Sequence, residues 1–385
     1  MHTPLPLLAL IALTSPVQAQ LPKVRDSAGV HIVENPARAK GSITFKLSDK
    51  PTHDVGGLKD NLDDELSTNT GALTEIRLSD GRYVVADETR LRFLDATGKQ
   101  ERVVGRRGQG PGEFQYIRTL CRTGADTIVV ADDGNSRVTV FDKTGAMVRE
   151  VSVGRTSMPE SGCFEDGTFL VIETLRPAGA PATTRLIHRQ LDGTVLGTAG
   201  EFWGGILQQF NMVRPQFAVR GQQVYFGDPR VSEVRRYNPQ GTLIGIIRTA
   251  DPIERTTASE RAAMRPAYSI ATNDQALRDR AQEQLRTAPR PEEWPSYARM
   301  LVDPDGRLWL QDVQKDRLAP TPLVWTVFDA TGRLLGRFPI PPPLKRGDPR
   351  IIAFTSGGVL IGRNDDDGAY HLTTYALVPV KGAKP

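Results

Sequence analysis

Four arginines stand at matched places in the chain. Arg118, Arg214 and Arg350 each lie 14 residues before an acidic or amide residue that closes an apolar run (Asp132, Asp228 and Asn364), and Arg299 lies 13 before Asp312. Guanidinium groups converging on one rim would bind a carboxylate, sulfate or phosphate through paired, charge-assisted hydrogen bonds. A plainer reading has them pair with neighbours such as Glu75 and Glu160, or lie over the surface. The closing residues Asp87, Asp132, Glu173, Asp228, Asp312 and Asn364 could ring a calcium ion, helped by Asp365, Asp366 and Asp367, since calcium takes clustered oxygen ligands. A residue repeated in every period serves every period, however. Asp or Asn at a strand end commonly bonds nearby backbone amides, and that structural role is the expectation.

Histidine is sparse. His31, His53, His188 and His371 show no pair at metal-ligand spacing, so zinc is not expected, and no Ser-His-Asp or Cys-His grouping can be assembled. No cofactor is identified, and calcium is the one ion left open. Cys121 and Cys163 precede the turn markers Ala125 and Asp166 by four and three residues, which puts them on neighbouring strands at similar height. They form either a disulfide or two separate buried thiols, depending on whether their Cα atoms approach within about 7 Å.

The elements that must position these groups repeat. Turn glycines after a strand recur at Gly98, Gly145, Gly193, Gly241 and Gly332, at intervals of 47, 48, 48 and 91 residues, the last holding one period plus an insertion. Seven residues before each closing acid or amide comes a second tight turn, as at Asp80-Gly81, Asp166-Gly167 and Asp305-Gly306. Between them run apolar stretches such as Tyr83-Val84-Val85, Ile128-Val129-Val130 and Leu308-Trp309-Leu310, suited to strands buried on both faces. Six such units predict an all-β, six-bladed β-propeller of four-stranded antiparallel blades. With 39% hydrophobic and 24% charged residues, the chain can bury a sizeable core. The net charge is +4 with no basic run, which argues against nucleic acid as a partner.

One blade carries a further pattern. Phe114 ends the glycine-rich GRRGQGPGEF, and Val130-Ala131-Asp132, Asn135, Arg137, Phe141-Asp142 and Gly145 follow in order. This run resembles the NHL-repeat propellers, and the opening VRDSAGVHIVEN together with PEEWPSYARMLVDPDGRLWL resembles bacterial exported six-bladed proteins of NHL-like type. The resemblance implies the fold and not an activity. Related propellers include zinc-dependent amidating lyases and lactonases that hold calcium with scattered carboxylates; no motif of the first kind stands out here.

Leu5 to Val17 is an apolar run too short to span a bilayer, so residues 1–19 read as a cleaved signal peptide. Residues 20–72 form an N-terminal segment and 73–385 the propeller. The last blade lacks a fourth strand, and either Ile43–Leu47 or Val30–Val33 is expected to close the ring. The insertion at about 254–295 predicts a helix capped by Asn273, with Leu277, Ala281 and Leu285 on one face. It is either a rim excursion or a lid with Trp294 and Tyr297 as contact residues. The long loops share one face, opposite the short turns, and binding is expected there. The chain thus reads as a monomeric, periplasmic or extracellular binding module for a small anionic ligand or an envelope protein, with Phe202, Trp203 and Phe210 as candidate aromatic contacts. The alternative is a calcium-dependent hydrolase, a lactonase or a lyase working at the channel mouth.

Overall fold

The computed structural model describes residues 21–38, 42–57, 66, 74–153, 162–175, 183–203, 215–264, 275–287, 290–315, 322–340, 350–355, 357–365 and 367–380. The N-terminal segment forms β1 (Lys23–Ser27), β2 (Val30–Asn35), β3 (Phe45–Leu47) and β4 (His53–Gly56). Blade one is β5 (Thr74–Arg77), β6 (Tyr83–Asp87), β7 (Arg90–Leu94) and β8 (Gln100–Val104). Blade two is β9 (Ile117–Arg122), β10 (Ile128–Asp132), β11 (Arg137–Phe141) and β12 (Met147–Ser152). Blade three is β13 (Phe169–Leu175), β14 (Thr183–Arg189) and β15 (Val195–Trp203), with a bridge from Cys163 to Phe169 at its inner edge. Blade four is β16 (Gln216–Arg220), β17 (Gln223–Asp228), β18 (Glu233–Tyr237) and β19 (Leu243–Thr249). Blade five is β20 (Arg299–Val302), β21 (Leu308–Gln311), β22 (Leu323–Phe328) and β23 (Leu334–Ile340), and blade six is β24 (Arg350–Thr355), β25 (Gly358–Asn364) and β26 (Tyr370–Pro379).

The second strand of each blade is apolar on both sides because each side faces a different neighbour. Val84 and Ala86 pack toward blade two, with Phe114, Ile117 and Val130, whereas Val85 packs toward blade six, with Leu360, Tyr370 and Leu372. Similar clusters fill the other seams. Each buried Val, Leu or Phe contributes about 1.5–3 kcal/mol of transfer free energy, so adjacent blades hold one another. The period near 48 has a packing cause as well as a turn cause. Gly145 has φ +81°, and a Cβ there would stand 2.9 Å from Phe93 of the preceding blade. At Gly332 the added carbon would meet Ile247 at 2.6 Å. Each turn lies on the blade before it, and only glycine lets it approach so closely.

Ring closure differs from the single strand expected. Both β4 and β3 pair antiparallel with β26, β4 at His371 to Thr374 and β3 at Leu377 to Pro379. Val30–Val33 does not close the ring: β2 runs parallel to β19, and β1 follows it, extending blade four to six strands. Between them, Thr44 N donates to Arg337 O at 2.9 Å and Arg337 N to Ser42 O at 2.7 Å. The N-terminal segment therefore runs along the outer edges of blades four, five and six.

The insertion carries two helices, α1 (Ala258–Ala263) with a Thr257/Glu260 capping box and α2 (Gln275–Thr287). Asn273 and the side chains of Leu277, Ala281 and Leu285 lie outside the described residues. The feet of the insertion are tied together by Trp294 N to Glu254 O and Thr256 N to Glu292 O. Trp294 is buried with Met264, and Tyr297 is buried in the seam between blades four and five. Neither is placed as a contact residue of a lid, because the apolar rings are spent on packing.

Cys121 and Cys163 are joined in a disulfide with Cα atoms 5.8 Å apart, linking β9 of blade two to the inner edge of blade three. The bond closes a loop with a sequence separation of 42 and fastens the inner edge of blade three to blade two. Reduction, or Cys121→Ser with Cys163→Ser, is expected to lower the stability measured by urea unfolding by about 2–4 kcal/mol. An unchanged midpoint would show that the seam holds without the bond.

Candidate functional site

The two faces of the ring differ in how their polar groups are used. On the short-turn face, Asp95, Asp142 and Asp329 each fold back on their own turn. Asp142 Oδ1 accepts from Thr144 N at 2.8 Å, Thr144 Oγ1 at 2.6 Å and Ala146 N at 3.0 Å. The Thr144 and Thr97 hydroxyl bonds hold the Asp142 and Asp95 carboxyls below their ordinary range. Groups saturated in this way leave little to offer a ligand. The groups of the opposite face vary from blade to blade.

There the innermost strands begin. Arg118 sits at a bulge in β9, between Ile117 opposite Asp132 and Thr119 opposite Ala131. Its guanidinium donates to Asp133 at 3.2 and 3.1 Å and lies 4.8 Å from the ring centre of Tyr116. Arg350 opens β24 opposite Gly362, two residues short of Asn364, so equal spacing along the chain does not put it level with Arg118. Different turn lengths and bulges in the two hairpins cause the offset. Arg299 donates Nη1 to Ile351 O at 3.0 Å and lies 5.7 Å from the Trp325 ring centre, so it ties blade five to blade six. Arg214 and Glu160 lie outside the described residues, as do the side chains of Arg350 and Trp203. The register puts Trp203 at the end of the outermost strand of blade three, away from the innermost strands. Phe202 stacks on Phe226 at 4.0 Å and is used in the seam between blades three and four.

Among the described Asp and Glu side chains, Glu75 is the one with a buried oxygen that lacks a hydrogen-bond partner. It lies on β5 opposite Val85, two residues short of Asp87, the same offset that Arg350 has on the neighbouring β24. The residue is half-buried, yet its Oε2 is sealed from solvent and has no hydrogen-bond partner among the described residues. Burial pushes the carboxyl up to about 8, against a smaller opposing pull from Arg77. Arg77 does not pair with it; its guanidinium lies 5.5 Å from the ring centre of Tyr83. At neutral pH Glu75 is a neutral acid that can donate a hydrogen bond.

The strand-closing acids Asp87, Asp132 and Asp312 are engaged by groups of their own blades, and Asp312 also by Arg38 of the N-terminal segment. Asp132 accepts from Gln115 N, Tyr116 N and Asn135 Nδ2 at 3.0, 2.9 and 2.7 Å, Asp87 pairs with Arg92 at 2.8 Å, and Asp312 with Arg337 at 2.8 Å. Among the described residues no group of three or more His, Cys, Asp or Glu side chains is placed to hold a metal ion. Sequence reasoning missed Asp133 as the partner of Arg118 and Tyr116 beneath it. Both adjoin residues already assigned to the repeat, and that assignment hid them.

Fold and sequence together define a six-bladed β-propeller. Residues 62–153 match a family model described as a 6-bladed beta-propeller. A 55-residue stretch is 38% identical to RING finger protein nhl-1 of Caenorhabditis elegans, covering 14% of this chain and 6% of that protein. Among solved structures, an exported-class protein from Bacteroides fragilis is similar at a TM-score of 0.54 and 12% identity, over 91% of this chain and all of that one. A virginiamycin B lyase from Staphylococcus aureus is similar at a TM-score of 0.44 and 11% identity, over 87% of this chain and 100% of that chain. Likeness at such identities is likeness of fold alone. No helix among the described residues is long and apolar enough to cross a membrane.

Proposed function

We propose that the chain is an exported binding propeller that holds a small anionic ligand at the channel mouth, where blades six, one and two meet on the loop-rich face. The observation that carries this reading is Glu75. An enclosed, unpartnered carboxyl oxygen on an innermost strand costs stability and does no packing work, as expected of a group kept for a ligand. A neutral carboxyl donates to an anionic oxygen where an ionised one would repel it. Arg118, already oriented by Asp133 and Tyr116, supplies the cationic side of the mouth.

Thermal stabilisation by sulfate, phosphate and small carboxylates tests the reading. The wild-type protein is expected to gain stability in a saturable way with at least one of them. Arg118→Gln and Glu75→Leu should each weaken that binding about tenfold, the loss of one charge-assisted hydrogen bond. No saturable stabilisation, or equal stabilisation in both variants, would remove the anion site.

A further inference from the structure

The ring closes where β4 meets β26, and one side chain there contacts both sides of the seam. Nδ1 of His371 lies 2.9 Å from Oδ1 of Asp54 on β4, and its Nε2 lies 3.0 Å from Oδ2 of Asp365, in the loop after β25. Each carboxylate is anchored independently. Asp54 accepts from Thr373 Oγ1 at 3.1 Å and from Arg363 Nη2 at 3.2 Å, and Asp365 Oδ1 accepts from the amides of Asp367 and Ala369. The hydrogen bond from His371 is the largest of the influences that hold the Asp365 carboxyl below its ordinary range. A neutral imidazole has one N–H, and an ionised carboxylate has none to give, so only the doubly protonated ring can donate to both aspartates.

We propose that Asp54, His371 and Asp365 form a pH-gated latch on ring closure, shut while the imidazole carries two protons and half released when it loses one. Among the described residues, the charged groups facing the ring are Asp54 from β4, Asp365 from the loop, and Arg363, its register partner on β25. Gly57, just past β4, lets the backbone lie against the imidazole: a Cβ there would stand 3.1 Å from Cε1. The sign follows from the proton count. Both contacts are made while the imidazole carries two protons, and one of them is lost with the second proton. His53, also on β4, stacks on Tyr83 at 4.6 Å and its pKa is lowered by burial, so its protonation works in the opposite sense. Variants of the latch residues separate the two effects.

The test is amide hydrogen exchange of β4 and of residues 371–374 at about pH 5.5 and about pH 8, corrected for intrinsic rates, with β10 as internal reference. Protection across the β4–β26 seam in the wild-type protein should fall about tenfold between the two conditions, the loss of one charge-assisted hydrogen bond. His371→Gln and Asp365→Asn should show no such change. Asp365→Asn keeps the contact between His371 and Asp54, so it carries the test if His371→Gln folds poorly. Equal seam protection at both pH values in the wild-type protein would overturn the latch. So would a pH dependence retained in either variant.

Discussion

Replacing Glu75 by glutamine is expected to stabilise the fold by about 3 kcal/mol near pH 7 and by about 5 kcal/mol above about pH 8. The folded-state carboxyl is raised from 4.5 to about 8, so the folded protein binds more protons than the unfolded chain between those values. Stability then falls with rising pH across that window. The penalty is absent below it and complete above it. Glutamine has nearly the same shape and nothing to ionise, so the variant should match the wild-type protein at about pH 4 and separate from it steadily as pH rises. Urea unfolding at several pH values checks this. A constant difference between the two proteins would mean that Glu75 is ionised or solvated in the fold.

Arg38→Ala should act in the opposite direction, lowering stability by about 3–5 kcal/mol. Arg38 is 8% exposed and joins three parts of the ring. Its amide and Nε donate to Asp251 at the end of blade four, at 3.1 and 2.9 Å, its Nη1 lies 3.5 Å from Asp312 of blade five, and its Nη2 donates to the Ser296 carbonyl. Truncation leaves Asp251 half-buried without its cation, and the N-terminal segment between β2 and β3 keeps only the backbone amide of residue 38 as its tie to Asp251. Removing Asp251 as well relieves the uncompensated charge, so Arg38→Met with Asp251→Leu should cost less than Arg38→Ala. A double variant as unstable as the single one would assign the loss to packing of the segment rather than to charge.

The propeller was legible because its determinants are local. Apolar runs between turn residues mark strands, and glycines such as Gly145 and Gly332 recur because each turn must lie against the preceding blade. The closure was half legible. Phe45–Leu47 carries a strand pattern, but β4, with the sequence His53-Asp54-Val55-Gly56, is polar and short, and the parallel pairing of β2 with β19 joins residues far apart in the chain. The arginine spacing does not translate into equal heights for Arg118 and Arg350, since hairpin bulges shift register without changing the count along the chain. Glu75 was singled out as a partner for arginine, and its own chemistry was invisible. The groups of blade six that enclose its seam come from the other end of the sequence.

Sulfate affinity as a function of pH tests the central claim most directly, because the charge of the probe is constant from about pH 6 to about pH 10 while Glu75 titrates. By calorimetric titration, the wild-type protein should bind with constant affinity up to about pH 8 and lose about tenfold per unit above it, whereas Glu75→Gln, which keeps a donor, should bind equally throughout. Absence of saturable binding, or a wild-type affinity that ignores pH, would contradict the account.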